Sequence, residues 1–393
     1  MASPYKGAGV TGAGNVGEKS NEYYTVDIRS DTLSTPTPEM RRAMAEAVVG
    51  DDVYGEDPTV NELERRSAEL LDKESALFVP SGTMANLLAI MVHCSRRGAE
   101  AIVGDLSHTF LYEQASAAQI AGVQLATVRN KRDGTFSLDE MTQKIRCRDL
   151  HEPITSLVIV ENTHNMCGGK VLPREWLTSL GALCKKHSLA LHMDGARVFN
   201  AAEALNLPVA RIVEDFDSVC FCLSKGLSAP VGSILAGSKD FIKEARRLRK
   251  ALGGGMRQVG VLAAAGLVAL DTIVPGLAKV HQRVRRIAEA IDSALSPHVK
   301  VDVANVQTNI LLIEMASGKV RSEKFATRLA SVTEKELQKG ITDERGRGIV
   351  VKVSSRDWSF ARIVLYEQIS DEDVELTIKK LLFVIREIDE LPN

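Results

Sequence analysis

The chain alternates short, continuous apolar runs with longer stretches in which apolar residues recur every three or four positions. Ala76-Leu-Phe-Val79, Ala101-Ile-Val103, Val123-Gln-Leu-Ala-Thr-Val128, Ser156-Leu-Val-Ile-Val160, Ala190-Leu-His-Met193 and Ser218-Val-Cys-Phe-Cys222 are short, apolar and bounded by turn residues. Runs of that kind predict strands buried on both faces. Helical periodicity falls between them, over 62–71, from Met84 onward, over 177–187 and over 240–252. Alternation of buried strands and helices predicts an α/β domain with a mostly parallel central sheet.

After Pro275 the pattern changes. A charged helix over about 277–295 leads into short strands near 299–303, 309–313, 348–353 and 359–365, with helices over 323–337 and 371–388. That order predicts a smaller α+β domain. Residues 1–24 are rich in Gly, Ser and Asn without apolar periodicity and read as a mobile leader. The expected organisation is therefore a leader (1–24), a large domain with an N-terminal active-site segment (25–275) and a small C-terminal domain (276–393). No internal repeat is visible.

Composition narrows the function. The 393 residues carry 49 Lys plus Arg against 51 Asp plus Glu, a net charge of −2, and only 5% are aromatic. Near-neutral charge gives no general attraction to nucleic acid or an acidic membrane surface, and few aromatics leave little for base stacking. The apolar run 259–270 is shorter than the ~18 residues a membrane span needs and reads as a buried helix. The six cysteines have no paired metal spacing, and Cys220-Phe-Cys222 lies in an apolar run, so core thiols in a reducing compartment are expected, with no metal site. A cytoplasmic location is the expectation. A mitochondrial presequence is the alternative, although the leader contains no Arg.

Two charged residues each end a predicted buried strand: Asp194 in Leu191-His-Met-Asp-Gly-Ala-Arg197, and Lys225 in Cys222-Leu-Ser-Lys-Gly226. In an open parallel sheet that is the carboxyl edge, where ligands bind. An amine and a carboxylate at adjacent strand ends suit pyridoxal phosphate: the amine forms an imine with the aldehyde, and the acid keeps the pyridine nitrogen protonated. An Asp–Lys ion pair is the simpler alternative. Ser81-Gly82-Thr83, opening a helix straight after a strand, would cradle a phosphate on backbone N–H groups, or serve only as a turn and helix cap. Ser224 could assist. His108, after the strand at 101–103, could stack on a planar ring, and Glu161-Asn-Thr-His164-Asn165 adds a polar cluster at the same edge.

Eight ordered motifs carry a resemblance. They are Asp27-Ile-Arg-Ser-Asp-Thr32, Gly50-Asp-Asp-Val-Tyr-Gly55 with Asp57-Pro-Thr-Val60, Pro80-Ser-Gly-Thr83, Glu161-Asn-Thr-His-Asn165, Gly169-Lys-Val-Leu-Pro173, His192-Met-Asp-Gly-Ala-Arg197, Leu223-Ser-Lys-Gly226 and Gly253-Gly-Gly-Met-Arg-Gln258. Together they resemble the low-specificity L-threonine aldolases of the beta-eliminating lyase group. These are fold-type I pyridoxal phosphate enzymes.

The resemblance implies Lys225 as the Schiff-base lysine, Asp194 at the pyridine nitrogen and Arg197 near the ring hydroxyl. It implies Ser81, Gly82, Thr83 and Ser224 at the phosphate, with Arg257 completing that site across a subunit interface. His108 resembles the ring-stacking histidine and His151 a second histidine near the substrate hydroxyl; either could be the base. Ser30 and Arg362 would bind the substrate carboxylate. The family usually follows this Arg with Val-Thr-His, whereas this chain has Arg362-Ile-Val-Leu-Tyr366, which leaves Arg356 as the fallback. The implied reaction cleaves L-threonine and L-allo-threonine to glycine and acetaldehyde, in a homo-oligomer built as a dimer of dimers. Serine hydroxymethyl transfer, transamination or β-elimination would use the same Lys–Asp pair, and a non-catalytic binding protein would be expected to have lost the lysine or the phosphate cradle.

Overall fold

A computed structural model describes residues 22–147 and 149–391. Its strands run, in chain order, β1 (Tyr23–Asp27), β2 (Ser75–Val79), β3 (Ala99–Gly104), β4 (Gln124–Val128), β5 (Ile154–Glu161), β6 (Ala190–Asp194), β7 (Ser218–Cys222) and β8 (Ser233–Gly237). There follow β9 (Val299–Lys300), β10 (Ile310–Met315), β11 (Gly348–Lys352), β12 (Ser354–Ser355) and β13 (Phe360–Val364). Two compact units divide the chain, one of residues 34–277 and one combining the N-terminal segment up to 33 with 278–393.

The larger unit is built on a seven-stranded sheet of order β2-β8-β7-β6-β5-β3-β4. Five neighbours from β7 to β4 pair in parallel, and β8 runs antiparallel between β2 and β7. All six strands read from the apolar runs are present. Strand β8 is an addition to them: Ser-Ile-Leu-Ala-Gly has no alternation and follows Cys222 too closely for a crossover helix, so the chain can only return antiparallel. Every residue of β3, β7 and β8 is buried, as two-sided coverage requires. The apolar run at 259–270 forms the helix Gly260–Val268, with Ala263, Ala264 and Ala265 buried in this unit's core. The helical stretch Gly260–Ser293 is nevertheless long and apolar enough to cross a bilayer by length and composition alone, a test core helices also pass. The run at 259–270 is only the first part of that stretch, which is why it falls short by itself.

The smaller unit holds a four-stranded antiparallel sheet, β12-β13-β10-β9, and a parallel pair, β1-β11. Val26 and Ile28 are buried with Ile349 and Val351 in its core. This corrects the expected boundary, because the segment up to Leu33 folds with this unit and not with the larger one. The reason is the β1–β11 ladder, from Tyr23 opposite Gly348 to Asp27 opposite Lys352, a pairing of chain ends that no local pattern announces. Tyr23 and Tyr24, read as part of the leader, lie in β1; the rest of the expected leader, up to residue 21, lies outside the described residues. The single helix expected over 323–337 is two, Ser322–Leu329 and Glu334–Gln338. Thr333 starts the second with a capping box to Glu336, satisfying N–H groups that a continuous helix would not leave open.

Candidate active site

In the larger sheet the chain leaves β3 outward to β4 and then returns to β5 on the other side of β3. That reversal opens a crevice beyond the carboxyl ends of β3 and β5, the place where open parallel sheets bind ligands. His108 follows β3, Glu161 ends β5, Asp194 ends β6, and Lys225 follows β7. Strand β2 leads to Ser81, and antiparallel β8 begins at the same edge with Ser233.

Asp194 is buried at the end of β6. Its Oδ2 accepts from Asn86 Nδ2 at 2.9 Å, and its Oδ1 accepts from the Ala196 N–H at 3.1 Å. Burial alone would raise this carboxyl; the charges of His108 and Lys225, with those hydrogen bonds, outweigh it and hold the group below the ordinary aspartate value. Asp194 is therefore a buried carboxylate held on its ionised side by the influence of His108 and Lys225.

His108 opens a short helix, with Ser107 capping it by accepting from Phe110 N–H at 3.3 Å. Its backbone N–H donates to Glu161 Oε2 at 2.7 Å, and its Nδ1 donates to Glu113 Oε1 at 2.9 Å. Burial works against the imidazolium, but the Glu113 bond and the nearby Asp194 and Glu161 charges prevail and raise its pKa. Glu161 also accepts from Asn165 N–H at 2.9 Å, so one buried carboxylate fixes both loops that line the crevice. Glu113 is buried, and its own pKa is raised, chiefly by burial. Glu113 and Asn86 are not among the residues that sequence reasoning singles out, and Glu161 enters it only as part of a polar cluster. Asn86, the one polar residue in Met84-Ala-Asn-Leu-Leu, is a visible signal.

The helix Gly82–His93 begins at the crevice, capped by Ser81 Oγ accepting from Met84 N–H at 3.1 Å. A side chain at 82 would put its Cβ 2.8 Å from Cys222 Sγ and 3.6 Å from Ser233 Oγ, so only glycine leaves this helix end open. Ser233 Oγ is buried without a hydrogen-bond partner, beside a helix N-terminus whose N–H groups suit an anion. Thr83, Ser224 and Lys225 are partly exposed, while Arg197 is buried and opens the helix Val198–Leu205. The Lys225 carbonyl accepts from Ser34 Oγ at 2.6 Å, which pins the turn that carries the amine. An open glycine-led helix end, an orphaned buried hydroxyl and an ionised carboxylate near an amine match the phosphate, aldehyde and ring nitrogen of pyridoxal phosphate.

Two expected residues of the larger unit, His151 and Arg257, do not join this cluster within one chain. His151 is exposed and precedes β5, at the opposite edge of the sheet; β5 has eight residues, so it lies roughly 25 Å of strand away from Glu161. The loop holding it is tied locally, His151 N–H donating to Asp149 Oδ1 at 2.9 Å. Arg257 pairs with Asp51 at 2.8 Å and is half exposed. In the smaller unit, Arg362 on β13 donates through Nη2 to the Arg29 carbonyl at 3.3 Å, beside Ser30, whose Oγ accepts from Thr32 Oγ1 at 2.9 Å. Arg356 follows β12, its N–H donating to the Phe360 carbonyl at 2.9 Å. The six cysteines are free thiols, and Cys220 and Cys222 are core residues as expected.

The fold and this crevice define a fold-type I pyridoxal phosphate enzyme. A threonine aldolase from Leishmania major superposes with a TM-score of 0.72 over 92% of this chain and 99% of its own, at 20% identity. A serine palmitoyltransferase from Sphingomonas wittichii superposes with 0.69 over 94% and 89%, at 18% identity. At those identities the likeness is one of fold. The family model for beta-eliminating lyases matches residues 27–316. Low-specificity L-threonine aldolase 1 of Arabidopsis thaliana is 44% identical over 90% of this chain and 94% of its own length. The low specificity L-threonine aldolase of Escherichia coli K12 is 46% identical over 74% and 84%. The chain belongs to the beta-eliminating lyase family, and pyridoxal 5'-phosphate is its cofactor. The plant relative extends the likeness seen in the eight motifs through most of the smaller unit.

Proposed function

We propose that this lyase cleaves L-threonine and L-allo-threonine to glycine and acetaldehyde, as the names of its 44% and 46% identical relatives suggest. The observation that carries the cofactor part of the reading is the buried Asp194 carboxylate at the end of β6, held by Asn86 Nδ2 at 2.9 Å and the Ala196 N–H at 3.1 Å, while the choice of threonine rests on those relatives.

When bound, pyridoxal phosphate supplies an electron sink for the pair left behind as a bond at the substrate Cα breaks. Lys225 would be the amine that holds the cofactor through its aldehyde. Asp194 would hold the ring nitrogen in its protonated form, the form in which the ring is the stronger electron sink. Ser81, Gly82, Thr83 and Ser224 hold the phosphate, and Arg197 serves the ring hydroxyl. Arg362, with Ser30, binds the substrate carboxylate, where a guanidinium can make two parallel hydrogen bonds.

His108 takes the proton of the β-hydroxyl. Its Nδ1–H is committed to Glu113, which leaves Nε2 as the basic nitrogen. His151 could reach a site of this kind only from a second copy of the chain, and Arg257 would complete a phosphate site in the same manner. A homo-oligomer, in the form of a dimer of dimers, is accordingly part of the proposal.

The test is direct. Purified holoenzyme given L-threonine without folate should release acetaldehyde and glycine in equal amounts. Ammonia and 2-oxobutanoate in their place would mean that the Cβ–O bond is cleaved instead, and the aldolase reading would fail.

A further inference from the structure

The helix Gly82–His93 packs on the sheet through Ala85, Leu88 and Ala89, against Leu77, Val79, Cys220 and Leu235. Asn86 and His93 are seven residues apart, two turns along the same side of that helix. Facing them, His192 and Asp194 are two residues apart on one face of β6, and His192 is in register with Ser218 of β7. The two periodicities bring five polar side chains into a line through otherwise apolar packing. Asn86, His192, Ser218 and Asp194 are all buried.

Donor counting gives the line a direction. Asn86 Nδ2 has two hydrogens and meets two carboxylates, Glu113 Oε1 at 2.7 Å and Asp194 Oδ2 at 2.9 Å. Its Oδ1 therefore accepts, from His192 Nε2–H at 3.1 Å and from the Cys220 thiol at 3.3 Å. With the His192 proton on Nε2, its Nδ1 accepts from the Ser218 hydroxyl at 2.8 Å, and that oxygen accepts from His93 Nε2–H, also at 2.8 Å. Reversing the Asn86 amide would set its oxygen against two carboxylates. Burial holds both rings neutral, bringing His192 down to about 3 and His93 to about 4, so each has one donor and one acceptor nitrogen, as the line requires.

We propose that His192, backed by Ser218 and His93, is a positioning residue that acts through Asn86 to hold the Asp194 carboxylate ready for the protonated ring nitrogen of pyridoxal phosphate. The inference rests on the reading of Asp194 as the partner of that nitrogen. It assigns the histidine of the His192-Met-Asp194 motif a task in which it touches neither cofactor nor substrate. Without the His192 donor the Asn86 amide oxygen keeps only the weak Cys220 thiol donor, and an under-satisfied buried amide oxygen is costly, so the amide that meets Asp194 is no longer held in place.

The test compares equilibrium binding of pyridoxal phosphate and of its deaza analogue, in which carbon replaces the ring nitrogen, to the cofactor-stripped protein. Wild type should prefer pyridoxal phosphate. His192→Leu should reduce that preference by about tenfold or more, the scale of one charge-assisted hydrogen bond. His192→Gln, which can still donate to Asn86, should keep it within about twofold. Should the leucine variant fail to fold, Ser218→Ala removes the support behind His192 and must reduce the preference in the same direction. Equal weakening of both ligands, an unchanged preference in the leucine variant, or a glutamine variant no better than leucine overturns the inference. Absence of any preference in wild type instead removes the Asp194 reading, and this inference with it.

Discussion

Glu113 Oε1 sits 2.9 Å from His108 Nδ1 and 2.7 Å from Asn86 Nδ2, so one buried carboxylate serves the proposed base and the residue that supports Asp194. Asp194 is held ionised while Glu113 is pushed upward. Two carboxylates in one pocket are thus driven to different pKa values, the arrangement that separates acid and base duties in many active sites.

The first consequence concerns pH. The Glu113 bond heads the influences that raise His108 against burial, and His108 acts only when deprotonated. The acid limb of kcat/KM for threonine should therefore lie above the ordinary histidine value of about 6.5. In Glu113→Gln the carboxylate charge is gone while burial remains, so the limb should move to lower pH by about one unit. A limb that stays in place in the variant would remove His108 from the role of base.

Asp194→Ala should leave the fold intact and slow cleavage by about 10²–10⁴-fold, the usual cost of losing one charge-stabilising group. Steady-state kinetics with circular dichroism checks this. A loss below about tenfold would mean that the ring nitrogen does not depend on Asp194.

Gly82→Ala tests the cradle. The new Cβ would crowd Cys222 Sγ at 2.8 Å, and the sheet edge has little room to yield. Cofactor affinity should fall by about tenfold or more, and Gly82→Ala/Cys222→Ala should recover part of it, because the second change removes the sulfur that the Cβ meets. Equilibrium dialysis of pyridoxal phosphate measures both.

A structural prediction comes from Arg249, which is buried with Asp52 at 2.6 Å and also donates to the Phe78 carbonyl at 2.6 Å. This pair ties the helix Lys239–Ala251 to the Asp52–Tyr54 turn. Arg249→Met leaves a buried carboxylate without this partner and should cost about 3–5 kcal/mol in urea unfolding, with Arg249→Met/Asp52→Leu recovering much of the loss.

Much of this architecture is legible in the amino-acid sequence. Continuous apolar runs locate six of the seven strands of the larger sheet. Residues directly after those strands, His108, Asp194 and Lys225, have to fall at its carboxyl edge. What stays hidden depends on pairing between distant segments. The β1–β11 ladder joins chain ends that share no local signal, and β8 is a short apolar run whose antiparallel direction follows only from its neighbours. His151 and Arg257 are expected near the cofactor because they match family motifs, yet a motif carries no information about which copy of the chain it serves. Asn86 and His192 are visible as polar residues in apolar elements. Their meeting depends on a seven-residue step along one helix facing a two-residue step along β6, which no single segment reveals.

The central claim is that Lys225 carries the cofactor while Asp194 meets its other end. Its most direct test is the visible absorbance of Lys225→Ala purified with excess pyridoxal phosphate and then dialysed. The variant should lose the band that wild type shows, together with threonine cleavage, while a wild-type circular dichroism spectrum shows that it has folded. A Lys225→Ala protein that keeps the wild-type band would contradict the account.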